Sequence, residues 1–229
     1  MALSGERAAA RMACVQLLAP SLDWRAASGE KSGHGWRAPV SGGAKALGAC
    51  VGRSRLAELG WILGEPGPAE PWREAARECA RFHVTDEGWT LAMHAAAIGR
   101  PEALRAVAPF TDLRGARAGV EPLAFAASWM RPDACAAIIE IAGPPDDAVA
   151  LRAAIEAAAQ GSWGSAEAIG AGCSEAAAAR IWAELSLGHG DKLPRLAGRM
   201  AAIEAREIEA GLDGEGGRAA APVRHKGRI

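Results

Sequence analysis

The stretch EGWTLAMHAAAIGRPEALRAV, residues Glu87–Val107, is followed 31 residues later by AGVEPLAFAASWMRPDACAAI, residues Ala118–Ile138. Laid over each other, Gly88 matches Gly119, Ala95-Ala96 match Ala126-Ala127, and Arg100-Pro101-Glu102 match Arg131-Pro132-Asp133. Each copy holds a small-residue helical run, a break, and a proline that opens a second run. Proline fits the first position of a helix, where its missing N–H has no partner to lose. The repeat predicts two helical hairpins in series, over 90–98 with 101–108 and over 122–130 with 132–142.

Working outward, the helical period of 3.6 recurs along most of the chain. It predicts helices over 5–18, 43–52, 54–63 and 71–82 on the N-terminal side. On the C-terminal side it predicts them over 148–160, 165–171, 174–187 and 192–211, with Asp146 or Asp147 capping the first. GEPGPAEP (Gly64–Pro71) and GPPDD (Gly143–Asp147) are breakers. The connectors read as loops or hairpin-like turns rather than β-runs, so the fold class expected is all-α.

Composition narrows the classes further. Half of the 229 residues are apolar, and 26 Lys+Arg nearly balance 27 Asp+Glu. That is a globular composition without the basic excess of a nucleic-acid-seeking chain. Alanine dominates the apolar half, while Phe numbers 3 and Tyr 0, which predicts slender helices packed closely. The excess of Arg, Ala and Gly points to a GC-rich bacterial genome, or a phage or plasmid living in one. The five cysteines are scattered without a CxxC, so they are expected as reduced, mostly buried thiols in a cytoplasmic protein. No run approaches the ~18 apolar residues of a membrane span, and no membrane partner is expected.

Chemistry-bearing motifs are sparse. SGEKSG (Ser28–Gly33) lacks the Gly-Lys order of a phosphate loop and has no strand before it. GLDGEGG (Gly211–Gly217) lacks the strand and helix of a dinucleotide fingerprint. Cys79 and His83 lie four apart on one helix face, the spacing of a thiolate–imidazole pair, but two ligands do not make a zinc site. The expectation is no enzyme, no metal and no cofactor; the lesser alternative is a small helical enzyme with its site at Cys79 and His83. His94 reads as a structural histidine. Trp61, Trp72 and Trp182 read as gap fillers within helices, while Trp24 and Trp163 are undecided.

The Gly88-Trp89-Thr90, Ala95-Ala96 and Gly99-Arg100 series resembles the ankyrin-repeat pattern, and so does Gly119-Val120-Glu121-Pro122-Leu123 with Ala126-Ala127. Leu91-Ala92 stands where that family has Pro-Leu, and Met93 or Ala124 where it has His. The resemblance is best over 85–142. It implies an all-α, ankyrin-like helical-hairpin solenoid with capping helices: a cap over 1–33, repeats over 34–171, and capping helices over 172–212. The remainder, 213–229, is expected as a flexible basic tail.

The resemblance also implies a function: binding a partner protein through the concave side, as an adaptor, immunity factor or inhibitor in a bacterial or mobile-element setting. By position it marks His34, Trp36, Asp86, Glu87, Trp89, Ile98, Arg117, Val120 and Trp129, together with Ala97 and Ser128. Trp89 and Trp129 stand between two readings, an exposed anchor or a core residue. Nucleic acid is the alternative partner, reached through Arg114, Arg117 and the tail residues Arg218 and Arg224, and it is not expected to be the main one.

Overall fold

The computed structural model describes residues 2–24, 40–65, 70–81, 84–85, 88–115 and 120–216. Among these the chain forms twelve α-helices and no strand. They are α1 (Ala2–Leu18), α2 (Gly42–Gly52), α3 (Leu56–Ile62), α4 (Pro71–Ala80), α5 (Leu91–Ile98) and α6 (Pro101–Val107). There follow α7 (Pro122–Ser128), α8 (Pro132–Ala142), α9 (Asp147–Ala159), α10 (Trp163–Gly172), α11 (Glu175–Leu185) and α12 (Pro194–Gly216). The helices read from periodicity are all present. α12 runs to Gly216, past Leu212 where the apolar period ends. No helix is long and apolar enough to cross a membrane among the described residues.

The helices pack as two rows of neighbours. In one row α2 lies against α5, α5 against α7, α7 against α9, and α9 against α11. In the other, α3 lies against α6, α6 against α8, α8 against α10, and α10 against α12. Successive members of the rows also pair with each other as hairpins: α2 with α3, α5 with α6, α7 with α8, α9 with α10, and α11 with α12. α4 lies outside this order and packs on α2.

The turns inside four of these hairpins share a backbone device. Each places one residue in the left-handed region: Ser54 at φ 53°, Gly99 at 81°, Met130 at 53° and Gly161 at 80°. The last three are 31 residues apart. At Ser54, Met130 and Gly161 the turn closes in the same way, with the next residue's N–H bonding five residues back. These bonds run from Arg55 to Cys50 at 2.7 Å, Arg131 to Ala126 at 3.0 Å, and Ser162 to Ala157 at 2.8 Å. This is the Schellman closure of a helix C-terminus, which satisfies carbonyls that the helix leaves bare. At Gly99 a single bond to Ala95 does the work. The sequence marks two of these four positions with glycine, so Ser54 and Met130 hold the conformation without it.

Helix starts follow side-chain chemistry. Thr90 Oγ1 accepts from the Met93 N–H at 3.2 Å, Ser41 Oγ from Ala44 at 3.2 Å, and Ser174 Oγ from Ala177 at 3.0 Å. Asp146 occupies the N-cap of α9 without a side-chain bond. Asp147 instead accepts the Ser174 hydroxyl at 2.6 Å, which ties the start of α9 to the start of α11.

The core is continuous along both rows and is largely alanine, with Leu47, Leu59, Leu91, Leu104, Ile169 and Leu196 as its larger members. Small residues let helix backbones approach. A Cβ added to Gly170 would stand 2.8 Å from Leu196, and one added to Gly172 would stand 2.9 Å from Ile139. The N-terminal end uses aromatic bulk instead. Trp24 is buried and donates its indole N–H to the Ala19 carbonyl at 2.8 Å, which settles it as a core residue. It stacks on Trp72 at 6.0 Å, Trp72 meets Trp61 at 5.6 Å, and the buried Arg73 guanidinium lies 4.1 Å above the Trp61 ring. Arg73 is also held by Glu70 and by the Trp61 carbonyl. Trp61 and Trp72 therefore fill space as expected. Trp163 packs on His189 at 4.7 Å and carries the Lys192 ammonium over its ring.

Candidate partner-binding surface

The surface is built from the start of α5, the uncovered face of α5 and α7, and the turn after α7. Before α5 the chain makes a tight turn. Gly88 takes φ 83°, and its N–H bonds to the Thr85 carbonyl at 3.0 Å. The Val84 N–H reaches the Trp89 carbonyl at 2.7 Å, and the Trp89 N–H bonds to Thr85 Oγ1 at 3.2 Å. Only a residue without Cβ enters that φ range at no steric cost. The turn fixes the Trp89 backbone and turns its side chain across the two helices.

There Trp89 meets Phe125 edge-on at 5.0 Å, Trp129 edge-on at 5.5 Å, and His94 at 6.1 Å. Phe125 and Trp129 lie 6.1 Å apart. Edge-to-face rings at these separations attract beyond the area they bury. His94 is anchored underneath, its Nε2 lying 3.1 Å from the Gly48 carbonyl of α2. The group crosses three helices of one row.

The group is graded from core to solvent. Trp89, His94, Ile98 and Phe125 are half-buried. Trp129 is 44% exposed, Met130 59% and Val120 38%. Trp129 is the C-cap residue of α7, and Met130 is the left-handed residue after it. Their exposure is set by the turn: a left-handed backbone directs Met130 out of the helix, away from the core.

The residues singled out in the sequence fare unequally. Trp89 and Trp129 meet on this surface, while Ile98 is half-buried at the end of α5 and Val120 is exposed before α7. Trp89 is a half-buried support and Trp129 an exposed tip, so the two tryptophans divide the two roles between them. Ala97 was expected at the surface and is buried; only its carbonyl is used, accepting from Arg131 Nε at 2.9 Å. A side chain there would face the neighbouring helix rather than solvent. His34, Trp36, Asp86, Glu87 and Arg117 lie outside the described residues, as do His83, the SGEKSG stretch and the tail beyond Gly216 with Arg218 and Arg224; residues 213–216, expected as flexible tail, continue α12. The sequence reading missed Phe125, which sits among alanines and reads as core, and Met130, which reads as the last helical residue. The repeat carried a usable signal for the first: His94 and Phe125 are 31 apart, each a ring followed by an alanine pair.

Reactive groups elsewhere are subdued. Burial pushes the Cys79 thiol up, with Ser41 Oγ at 4.0 Å opposing it; activation of a thiolate needs the opposite shift. Burial likewise raises the Cys135 thiol to about 12 and the Cys50 thiol to about 11. Among the described residues no three His, Cys, Asp or Glu side chains gather as a metal site. Arg114 is exposed and bonds to the Pro144 carbonyl at 2.9 Å.

No family model matches the chain, and no curated protein or solved structure matches it.

Proposed function

We propose that the chain is a non-catalytic interaction module, an ankyrin-like stack of helical hairpins that binds a partner protein through the concave side lined by α5 and α7. The observation that carries this reading is the pair Trp129–Met130. Two large apolar side chains stand exposed side by side on a turn, and the second occupies a left-handed backbone position. For a residue with a Cβ that conformation costs about 1–2 kcal/mol, and glycine fills the equivalent place at Gly99 and Gly161. Tryptophan is enriched among residues that dominate binding energy, and its neighbours supply the packed surround that such anchors need. The two-row packing and the left-handed turns repeating at 31 residues support the stack. Thr90 and Val120, at the ends of two connectors, each hold an isolated β-bridge position, in keeping with hairpin-like tips.

The test is a double variant, Trp129→Ala with Met130→Gly. Glycine suits the backbone at 130, so the variant removes the exposed apolar pair without straining the turn. Tagged wild type and variant are compared in a pull-down, with circular dichroism as the folding control. A partner held by the wild type and lost by a folded variant supports the reading. A folded variant that retains every partner of the wild type sinks it.

A further inference from the structure

Resting on that reading, we propose that the surface takes an acidic polypeptide segment, whose carboxylates lie on a row of arginines along the turn edge and whose apolar side chains cover Trp129 and Met130. The row follows from the turn geometry. Arg55, Arg100 and Arg131 each come directly after the left-handed residue of successive hairpins, and Arg53 directly precedes the first. Contacts between neighbouring turns place them on one edge. Arg100 donates to Ser54 Oγ in the turn before its own, and Arg131 donates to the Ala97 carbonyl at the end of α5, beside the turn before its own. Arg131 also lies across Gly99, where a Cβ would stand 2.5 Å from its Cδ.

Charge on this edge is unbalanced. None of Arg53, Arg55, Arg100 and Arg131 has a carboxylate within salt-bridge distance among the described residues. Arg11 of α1 joins them at one end, where an open cleft of about 720 Å³ is lined by Arg11, Arg53, Ser54, Arg55 and Glu58. Glu58 is buried and pairs with Arg11 at 3.4 Å. Glu102 and Asp133 stand two residues after Arg100 and Arg131, in the first turns of α6 and α8. Five arginines thus face three carboxylates, leaving 21 basic against 24 acidic residues in the rest of the chain. A cationic edge on an otherwise acidic molecule selects a partner of opposite sign and guides its approach.

Spacing and ring geometry favour a polypeptide over nucleic acid. Stacked helices lie roughly 8–10 Å apart, and an extended chain advances about 3.3 Å per residue. Carboxylates at every third residue therefore match successive arginines, leaving the residues between them to reach Trp129 and Met130. Glu102 and Asp133 interrupt the row, which discrete carboxylates can straddle and a continuous phosphodiester chain cannot. Trp89 meets Phe125 and Trp129 edge to face, so these rings do not offer the successive parallel faces on which bases stack.

The test selects binders from a displayed library of random 15-residue peptides on the immobilised full chain, then measures one selected peptide by fluorescence anisotropy. The expected binders are rich in Asp and Glu at i and i+3, interleaved with Leu, Phe or Met. Their affinity is expected to drop about tenfold or more in Arg53→Glu/Arg55→Glu, two side chains that hold no hydrogen bond among the described residues. It is also expected to fall with rising salt in the unaltered protein, a readout that needs no variant. Binders without acidic excess overturn the proposal, as does affinity unchanged by both charge reversal and salt. If such binders are still lost in Trp129→Ala, the docking surface stands and only its partner chemistry falls. Displacement of the peptide by a single-stranded oligothymidylate at lower concentration than free peptide overturns the choice of polypeptide. A library that yields no binder overturns the proposal and the docking reading together.

Discussion

Position 130 shows what one residue can decide. Its backbone is left-handed, its neighbour Trp129 is exposed, and the matching positions 31 residues before and after are glycine. Met130→Gly relieves a conformational cost of about 1–2 kcal/mol and adds unfolded-chain entropy worth about 0.5–1 kcal/mol. The variant is therefore expected to be more stable than the wild type by up to about 1.5 kcal/mol, read as a higher urea midpoint. An unchanged or lower midpoint would mean that the Met130 side chain packs usefully despite its exposure. The converse substitution separates backbone from contact. Gly161→Ala forces an alanine to φ near 80° in open space, and should cost about 1–2 kcal/mol. Gly99→Ala pays the same backbone cost and also pushes Arg131 off the Ala97 carbonyl, a hydrogen bond worth about 1 kcal/mol. Equal losses in the two variants would show that the Arg131 contact contributes nothing.

At the scale of elements, how two helices meet depends on a few glycines. Gly43, in the first turn of α2, lies under the Trp24 ring, and an added Cβ would also stand 2.8 Å from the Asp23 carbonyl. The Gly43 N–H bonds to that same carbonyl at 2.9 Å. Gly43→Ala thus drives a methyl into a ring that is itself fixed by its bond to Ala19, and overpacking of this kind costs about 1–3 kcal/mol. Gly60→Ala is the control: nothing lies within 4 Å of a Cβ there, so a gain of about 0.5–1 kcal/mol is expected from the better helix former. Near-UV circular dichroism should change only in the first variant; a change in both would mean that the signal does not single out Trp24. These same elements mark how far the sequence could be read. Helix positions were legible because small apolar residues recur at 3.6 wherever a helix buries a face, and the capping role of Thr90 was legible from its place before that pattern. The turns at Ser54 and Met130 were not, because nothing in those side chains announces a positive φ; tertiary packing imposes it. Trp129 was found through the repeat, whereas Phe125 was hidden, since a ring between alanines on a helix reads as core until the neighbouring helix is placed.

Over the whole molecule, the cysteines report how the core is sealed. Cys50, Cys79, Cys135 and Cys173 lie on or beside helices spread from α2 to α10, all buried, while Cys14 on α1 is exposed. Every one of the four has its thiol raised by burial, Cys135 to about 12 and Cys50 to about 11 against an ordinary value of 9.0. The folded state therefore keeps its thiols protonated at a pH where the unfolded chain gives up its protons, and the unfolded state gains from every rise in pH above 9. The stability contributed by the neutral thiols is fully present below pH 9. It is lost progressively as pH rises from 9 towards 11 for Cys50 and towards 12 for Cys135. Tyrosine, whose ionisation would crowd the same window, is absent from the chain. The expected result is a urea midpoint that falls between pH 9 and 11, with a shallower fall in Cys135→Ala even though that variant starts less stable at pH 7. At pH 8 an aromatic disulfide reagent should titrate one thiol per native chain and five after unfolding. A native count above one would mean that the hairpins open on the timescale of the reagent, and a midpoint slope identical in Cys135→Ala would remove Cys135 from the alkaline response.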